Sequence, residues 1–138
     1  MCLTTVQTRW LRAKEDIVCY KLLDRDKFYN PIYAAYVKGL TEYQTPFRGT
    51  PIKDKVIEGK KYFRAKGWST FEPGLGGYNI TKGAIHACAT EEKAWDYYKY
   101  GSMGNSIFKC IIPKGTRYAV GIEDDICAKK IKFIKRII

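Results

Sequence analysis

Histidine is nearly missing from this chain: there is one, His86, in 138 residues. The five cysteines, Cys2, Cys19, Cys88, Cys110 and Cys127, are odd in number, and no two share a CxxC spacing. A structural zinc site would have to gather its ligands from scattered positions, so no metal is expected. Cys19, Cys88 and Cys110 lie inside apolar runs, where cysteine acts as a small hydrophobe. Free thiols of this kind point to a reducing compartment. No apolar run approaches the ~20 residues of a membrane-spanning helix. Charges in MCLTTVQTRWLRAKEDIV break the apolar core that a signal peptide needs. The expectation is a soluble, cytoplasmic protein with no membrane partner. The glycine-containing stretch WSTFEPGLGGYNIT matches neither GxGxxG nor a Walker loop, since no GK[ST] follows its glycines. It reads as a mobile surface loop or as a lid over a site. There is no internal repeat and no low-complexity linker.

Acidic charge is also scarce. Fourteen Asp and Glu face 25 Lys and Arg, a net charge of +11. Such an excess draws anionic partners, nucleotide or nucleic acid among them, or else it only keeps a surface soluble. Hydrophobic residues make up 46% and aromatics 14%, enough for a core without disulfides in one domain spanning residues 1–138. Eleven tyrosines suit half-exposed sheets and binding surfaces, because the ring packs while its hydroxyl stays wet.

Trp10 and Leu11 read as a packed anchor. IVCYKLL at 17–23 reads as a buried strand interrupted by Lys21, which either snorkels at the strand end or points into a pocket. Residues 24–30 read as a loop, 32–40 as a short helix or a strand, and 41–51 as irregular or at most an edge strand. Across 48–66 seven cations concentrate. Val56-Ile57 and Tyr62-Phe63 read there as two arms of a hairpin turned at Glu58-Gly59-Lys60. Basic residues among Tyr62, Phe63 and Trp68 either bind phosphates and stack bases or form an ordinary solvated hairpin. The candidate ligand-binding residues are Lys60, Lys61, Arg64, Tyr62 and Trp68, with Lys114 and Arg117 at the Pro113-Lys114-Gly115 turn.

AIHACA at 84–89 reads as a short strand running into a helix capped by Thr90. Glu91 and Glu92 complement the helix dipole, and Gly101 follows as the C-terminal cap. Residues 105–112 read as a strong strand, 118–122 as a short one, and 123–125 as an acidic turn. In ICAKKIKFIKRII, Ile131 and Phe133 alternate with Lys130 and Lys132, the pattern of a strand with one buried face. Few helices separate these strands. The expected fold class is therefore α+β, a single compact domain with a mostly antiparallel sheet and one or two short helices.

Gly83-Ala84-Ile85-His86-Ala87, Ala94-Trp95, Tyr97-Tyr98 and IFKCIIPKGTRY at 107–118 together resemble a small ADP-ribosyltransferase-type fold. In that superfamily a G-x-x-x-[ST] strand leads into a helix marked by an alanine and an aromatic, and a P-x-G-x-x-Y turn follows. The resemblance covers about 50 residues and extends to small proteins of gut Bacteroides and their phages. It implies a bacterial or phage accessory protein and, if the chain is active, NAD as substrate. The catalytic set it implies is Lys21, where the family has Arg or His, then a middle position near His86, Ala87 or Thr90, with Tyr98, and Glu123 as the glutamate facing an oxocarbenium-like centre. Independently, His86 and Cys88 stand two apart on a strand and share a face, so they form a conceivable dyad. Three readings remain open: a binding module for an anionic ligand, an active or degenerate ADP-ribosyl-transfer enzyme, and a structural or protein-interaction accessory protein.

Overall fold

The computed structural model describes residues 5–6, 9–23, 42–44, 51–67, 72–74, 77–79, 83–99 and 106–138. In chain order the strands begin with β1 (Thr5–Val6), β2 (Leu11–Arg12), β3 (Ile17–Leu23), β4 (Glu42–Gln44) and β5 (Pro51–Lys53). Helix α1 (Asp54–Glu58) leads to β6 (Tyr62–Arg64), β7 (Glu72–Gly74), β8 (Gly77–Asn79) and β9 (Ile85–Cys88). Helix α2 (Glu91–Lys99) precedes β10 (Ser106–Ile112), β11 (Arg117–Val120), β12 (Asp125–Ala128) and β13 (Lys130–Arg136). Eight strands form one antiparallel sheet in the order β2-β11-β12-β9-β3-β10-β13-β6, beside a three-stranded β1-β8-β7 sheet and a β4-β5 pair. The α+β expectation holds coarsely: sheet dominates, with two short helices among the described residues.

One chain link bends the large sheet. β12 and β13 stand four positions apart in the strand order, which on a flat sheet is about 19 Å. Only Lys129 separates them in sequence, a span of at most ~7 Å. The sheet must therefore fold over on itself. Both of its outlying parts meet at this link. Lys129 donates its backbone N–H to Arg117 of β11 (3.0 Å), and its carbonyl accepts from Ala65, just after β6 (2.8 Å).

Folding over creates an inner face and an outer one. Alternation sends Cys19 and Leu23, Ile85 and Ala87, Phe108, Cys110 and Ile112, Ile126 and Ala128, and Ile131 and Phe133 inward into one cluster drawn from both halves. Phe108 and Phe133 meet edge to face at 5.7 Å across neighbouring strands. Ile52 of β5 and Val56 and Ile57 of α1 join the same cluster. On the outer face α2 lies against β3, β9 and β10. There Ala94 packs with Leu22, Cys88 and Ile107, flanked by Trp95, Tyr97 and Tyr98. Thr90 caps this helix, its hydroxyl accepting from the Lys93 N–H at 3.2 Å. The expected cap at Gly101 lies outside the described residues, as do the segments 24–41 and 45–50.

Several expectations need correction. Val56-Ile57 belongs to a helix, so residues 54–64 form helix, turn and strand instead of a hairpin. Lys60 takes a left-handed φ of 50° in that turn, and Lys61 donates back to Val56 (2.9 Å). A helix suits the pair because consecutive residues of a single helical turn can both reach the core, whereas alternation in a strand would turn one outward. The glycine-containing stretch, read as a loop, holds the β7-β8 hairpin, with Gly74 paired to Gly77. Leu11 is not buried as an anchor but is 42% exposed. Asp125 is no turn residue; it begins β12 and is buried. The basic C-terminal run is two strands joined at Lys129, not one.

Phe133→Ala removes one ring from the fully buried Phe108–Phe133 pair. It is expected to destabilise the protein by about 3–5 kcal/mol in urea unfolding. A loss below about 1 kcal/mol would contradict a core shared by the two halves.

Candidate functional site

Cross-strand register, not sequence proximity, assembles a basic and aromatic patch on the outer face. Lys130 pairs with Arg64 and Lys132 with Tyr62 along β13-β6. Ile111 of β10 stands opposite Lys132 on one side and Val18 of β3 on the other. One step along, Lys109 stands opposite Lys135 and Tyr20. The ammonium groups of Lys130 and Lys132 lie 4.9 and 5.5 Å from the centre of the Tyr62 ring. An ammonium near a ring face is attracted by the ring's quadrupole, so the three side chains order one another. Tyr62 is nonetheless 51% exposed, and Val18 is 42% exposed. β6 is the last strand of the sheet, so among the described residues no strand flanks Tyr62 on its far side.

A second group of polar side chains is buried where β9 and β12 pass the N-terminal end of α2. β3 and β9 share only one ladder pair, Tyr20 with Cys88. Lys21, on the inner face and 3% exposed, donates its Nζ to the His86 carbonyl across this seam at 2.6 Å. Cys88 stands opposite Asp125, which is 8% exposed and whose Oδ1 has no hydrogen-bond partner. Burial, against the pull of Lys93 and with a push from Glu123, raises the Asp125 carboxyl to about 6. Burial first, then the Asp125 charge, pushes the Cys88 thiol up to about 12. Cys127 is raised to about 12 by burial, and burial pushes Cys110 upward as well. Cys19, Cys88, Cys110 and Cys127 are all buried thiols outside any disulfide, as expected of small buried hydrophobes.

The candidates nominated from sequence fall in several places. Lys21 does not snorkel to solvent; it is buried and bridges the β3-β9 seam. His86 is half-buried on the outer face opposite Cys127. It shares that face with Cys88, but a thiol held that far above neutrality is not an activated nucleophile. Tyr98 lies on α2 itself, edge to face with Trp95 of the same helix at 5.4 Å. Glu123 and Asp124 occupy the β11-β12 turn with φ of 59° and 60°, the left-handed pair that tight hairpin turns require. The Glu123 side chain is 77% exposed and faces Lys93 at 3.7 Å. Tyr62 and Arg64 belong to the basic patch, with exposed Lys60 and Lys61 just before them. Lys114 and Arg117 are exposed elsewhere, around a turn whose Lys114 N–H donates to Asp16 Oδ1 at 2.8 Å. Trp68 lies outside the described residues. Lys130, Lys132, Lys109, Lys135 and Asp125 were missed as site residues. The Lys130 and Lys132 alternation did carry a signal, but their meeting with Tyr62 depends on a pairing between segments nearly 70 residues apart.

Among the described residues no group of three His, Cys, Asp or Glu is placed to hold a metal ion, and no helix is long and apolar enough to cross a membrane.

A carboxyl held at about 6 in the fold and near 3.9 in the unfolded chain binds its proton more tightly when folded. Its stabilising contribution is complete below pH 4 and is lost as pH rises through about 6. Asp125→Asn is therefore expected to stabilise the protein at pH 8 by on the order of 1–3 kcal/mol, with the advantage vanishing towards pH 4. Urea unfolding across that range checks this; a pH-independent difference would contradict it.

No family model, curated protein or solved structure matches this chain, so the roles of these residues rest on their own geometry.

Proposed function

We propose that the protein is a binding module for an anionic, phosphate-bearing ligand, held on the outer face of β10, β13 and β6. The observation that carries this reading is the convergence of Lys130 and Lys132 on the exposed Tyr62 ring. Lysines spread evenly over a surface serve solubility. Here Lys130, Lys132, Arg64, Lys109 and Lys135 come from three adjacent strands, with no carboxylate among the residues paired with them in the ladder. Crowding five cations costs Coulomb energy, which an anion relieves while releasing its own counterions. The net charge of +11 adds a long-range attraction for the same class of ligand.

The ADP-ribosyl-transfer alternative would require Lys21, His86, Tyr98 and Glu123 to act around one nicotinamide. Lys21 is engaged inside the seam, Tyr98 packs against Trp95, and Glu123 is turned to solvent beside Lys93. The binding reading asks for no rearrangement of these groups.

Inorganic polyphosphate is expected to bind at low ionic strength. Its affinity should fall on the order of 10- to 100-fold between 50 and 200 mM salt, as a contact with about three or four phosphates dictates. Replacing Lys130 and Lys132 together by Ala should cost roughly tenfold and flatten the salt slope, whereas Lys114→Ala should change little. Calorimetric titration decides the matter: absence of binding at 50 mM salt, or equal losses in the two variants, would remove the support for this face.

A further inference from the structure

We infer that the ligand of this face is single-stranded nucleic acid, with an unpaired base stacked on Tyr62 and its phosphates held by the lysines of β13. The inference rests on the anion-binding reading and adds to it the part that recognises bases. A site for phosphate alone needs cations and backbone N–H donors. It has no use for an exposed ring placed among the cations, nor for an apolar floor beside it. This face has both. Tyr62 stands on the edge strand with half its surface in solvent, its two ammonium neighbours on the β13 side. Inward from it the register continues through Lys132 to Ile111 and then to exposed Val18. The next row sets Lys135 and Lys109 beside Tyr20, whose ring packs against the cluster under α2 and closes the face on that side.

The row from Tyr62 through Lys132 and Ile111 to Val18 thus sets a ring, a cation and an apolar floor side by side across four strands, a width of about 14 Å. This suits a chain that alternates flat apolar bases with charged phosphates. The extent matches the lower end of the ~4–16 nucleotide sites found on sheet-based single-strand binders. A duplex fits poorly. Its bases are stacked on one another and its major groove admits a helix or a two-stranded ribbon, not the face of a four-stranded sheet. Duplex would meet the lysines but leave Tyr62 and Val18 without a partner. Tyrosine stacking is tolerant of base identity, and lysine on phosphate carries no sequence information, so the expected preference is for strandedness over sequence.

The test is fluorescence anisotropy with a labelled 12-nucleotide mixed-sequence single strand, its blunt duplex, and polyphosphate as competitor. The single strand is expected to bind at least about tenfold more tightly than the duplex. Tyr62→Ala should weaken single-strand binding roughly 5- to 100-fold, as loss of one stacked base requires, and polyphosphate binding by a clearly smaller factor, since the lysines remain but lose the ring that orders them. Tyr62→Phe keeps the ring and should retain single-strand binding. This variant also separates lost stacking from a fold damaged at the edge strand. If single strand, duplex and polyphosphate bind alike and Tyr62→Ala moves none of them, the inference is overturned and the anion-binding reading survives. If none binds at 50 mM salt, both fall.

Discussion

A single residue between β12 and β13 constrains the whole fold. Were the link longer, β12 and β13 could lie side by side or apart in one gently twisted sheet. With only Lys129 between them, strands four places apart in the ladder must be brought within one residue's reach, and the sheet must close over a core. The residue at the bend is itself held. Its main chain bonds to Arg117 and Ala65. Its Nζ donates to the carbonyls of Gly83 at 2.5 Å and Gly67 at 3.4 Å, and lies 5.5 Å from the centre of the Trp10 ring. Burial and the nearby Arg117 lower its pKa, so the cost of placing this cation here is offset by carbonyl oxygens and a ring instead of a carboxylate.

Closure leaves one weak line, the β3-β9 seam with its single ladder pair. Two features strengthen it. The Lys21 ammonium replaces missing backbone bonds by donating to the His86 carbonyl, and α2 covers the outside with Ala94 packed over Leu22, Cys88 and Ile107. The helix therefore divides the outer face. Over the seam it buries side chains; beyond it, from Val18 at one end of β3 across β10 and β13 to Tyr62 of β6, described residues remain exposed and the lysines gather. The same arrangement that protects the weak line leaves the described residues of the neighbouring surface exposed.

Much of the framework was legible where a local rule acts alone. The strands at 17–23, 85–88 and 106–112 follow from dense apolar runs, and the helix after Thr90 follows from its cap and first-turn glutamates. Reading failed where two local rules compete. Val56-Ile57 is β-branched and beside a turn signal, so it resembled a strand; its burial with Ile52 in the shared core made it a helical turn. The stretch at 72–79 resembled a loop because glycine is a poor strand former, yet pairing with β1 and within its own hairpin supplies what propensity lacks. Asp125 resembled its acidic neighbours, although the strand register carries it beneath them to face Cys88.

By itself, then, the sequence determined the charge, the buried thiols outside any disulfide, the capped helix and the alternation that turns Lys130 and Lys132 away from Ile131 and Phe133. These properties are written within a few neighbouring residues, so short-range sterics and hydrophobic periodicity suffice to express them. Only the tertiary structure decided that Tyr62 would stand between those lysines and the edge of the sheet, that Lys21 would bridge a seam instead of reaching solvent, and that Asp125 would be buried. Each of these depends on the register of strands far apart in the chain. Register is settled by how the whole core packs, since a shift of one residue would turn every side chain to the opposite face.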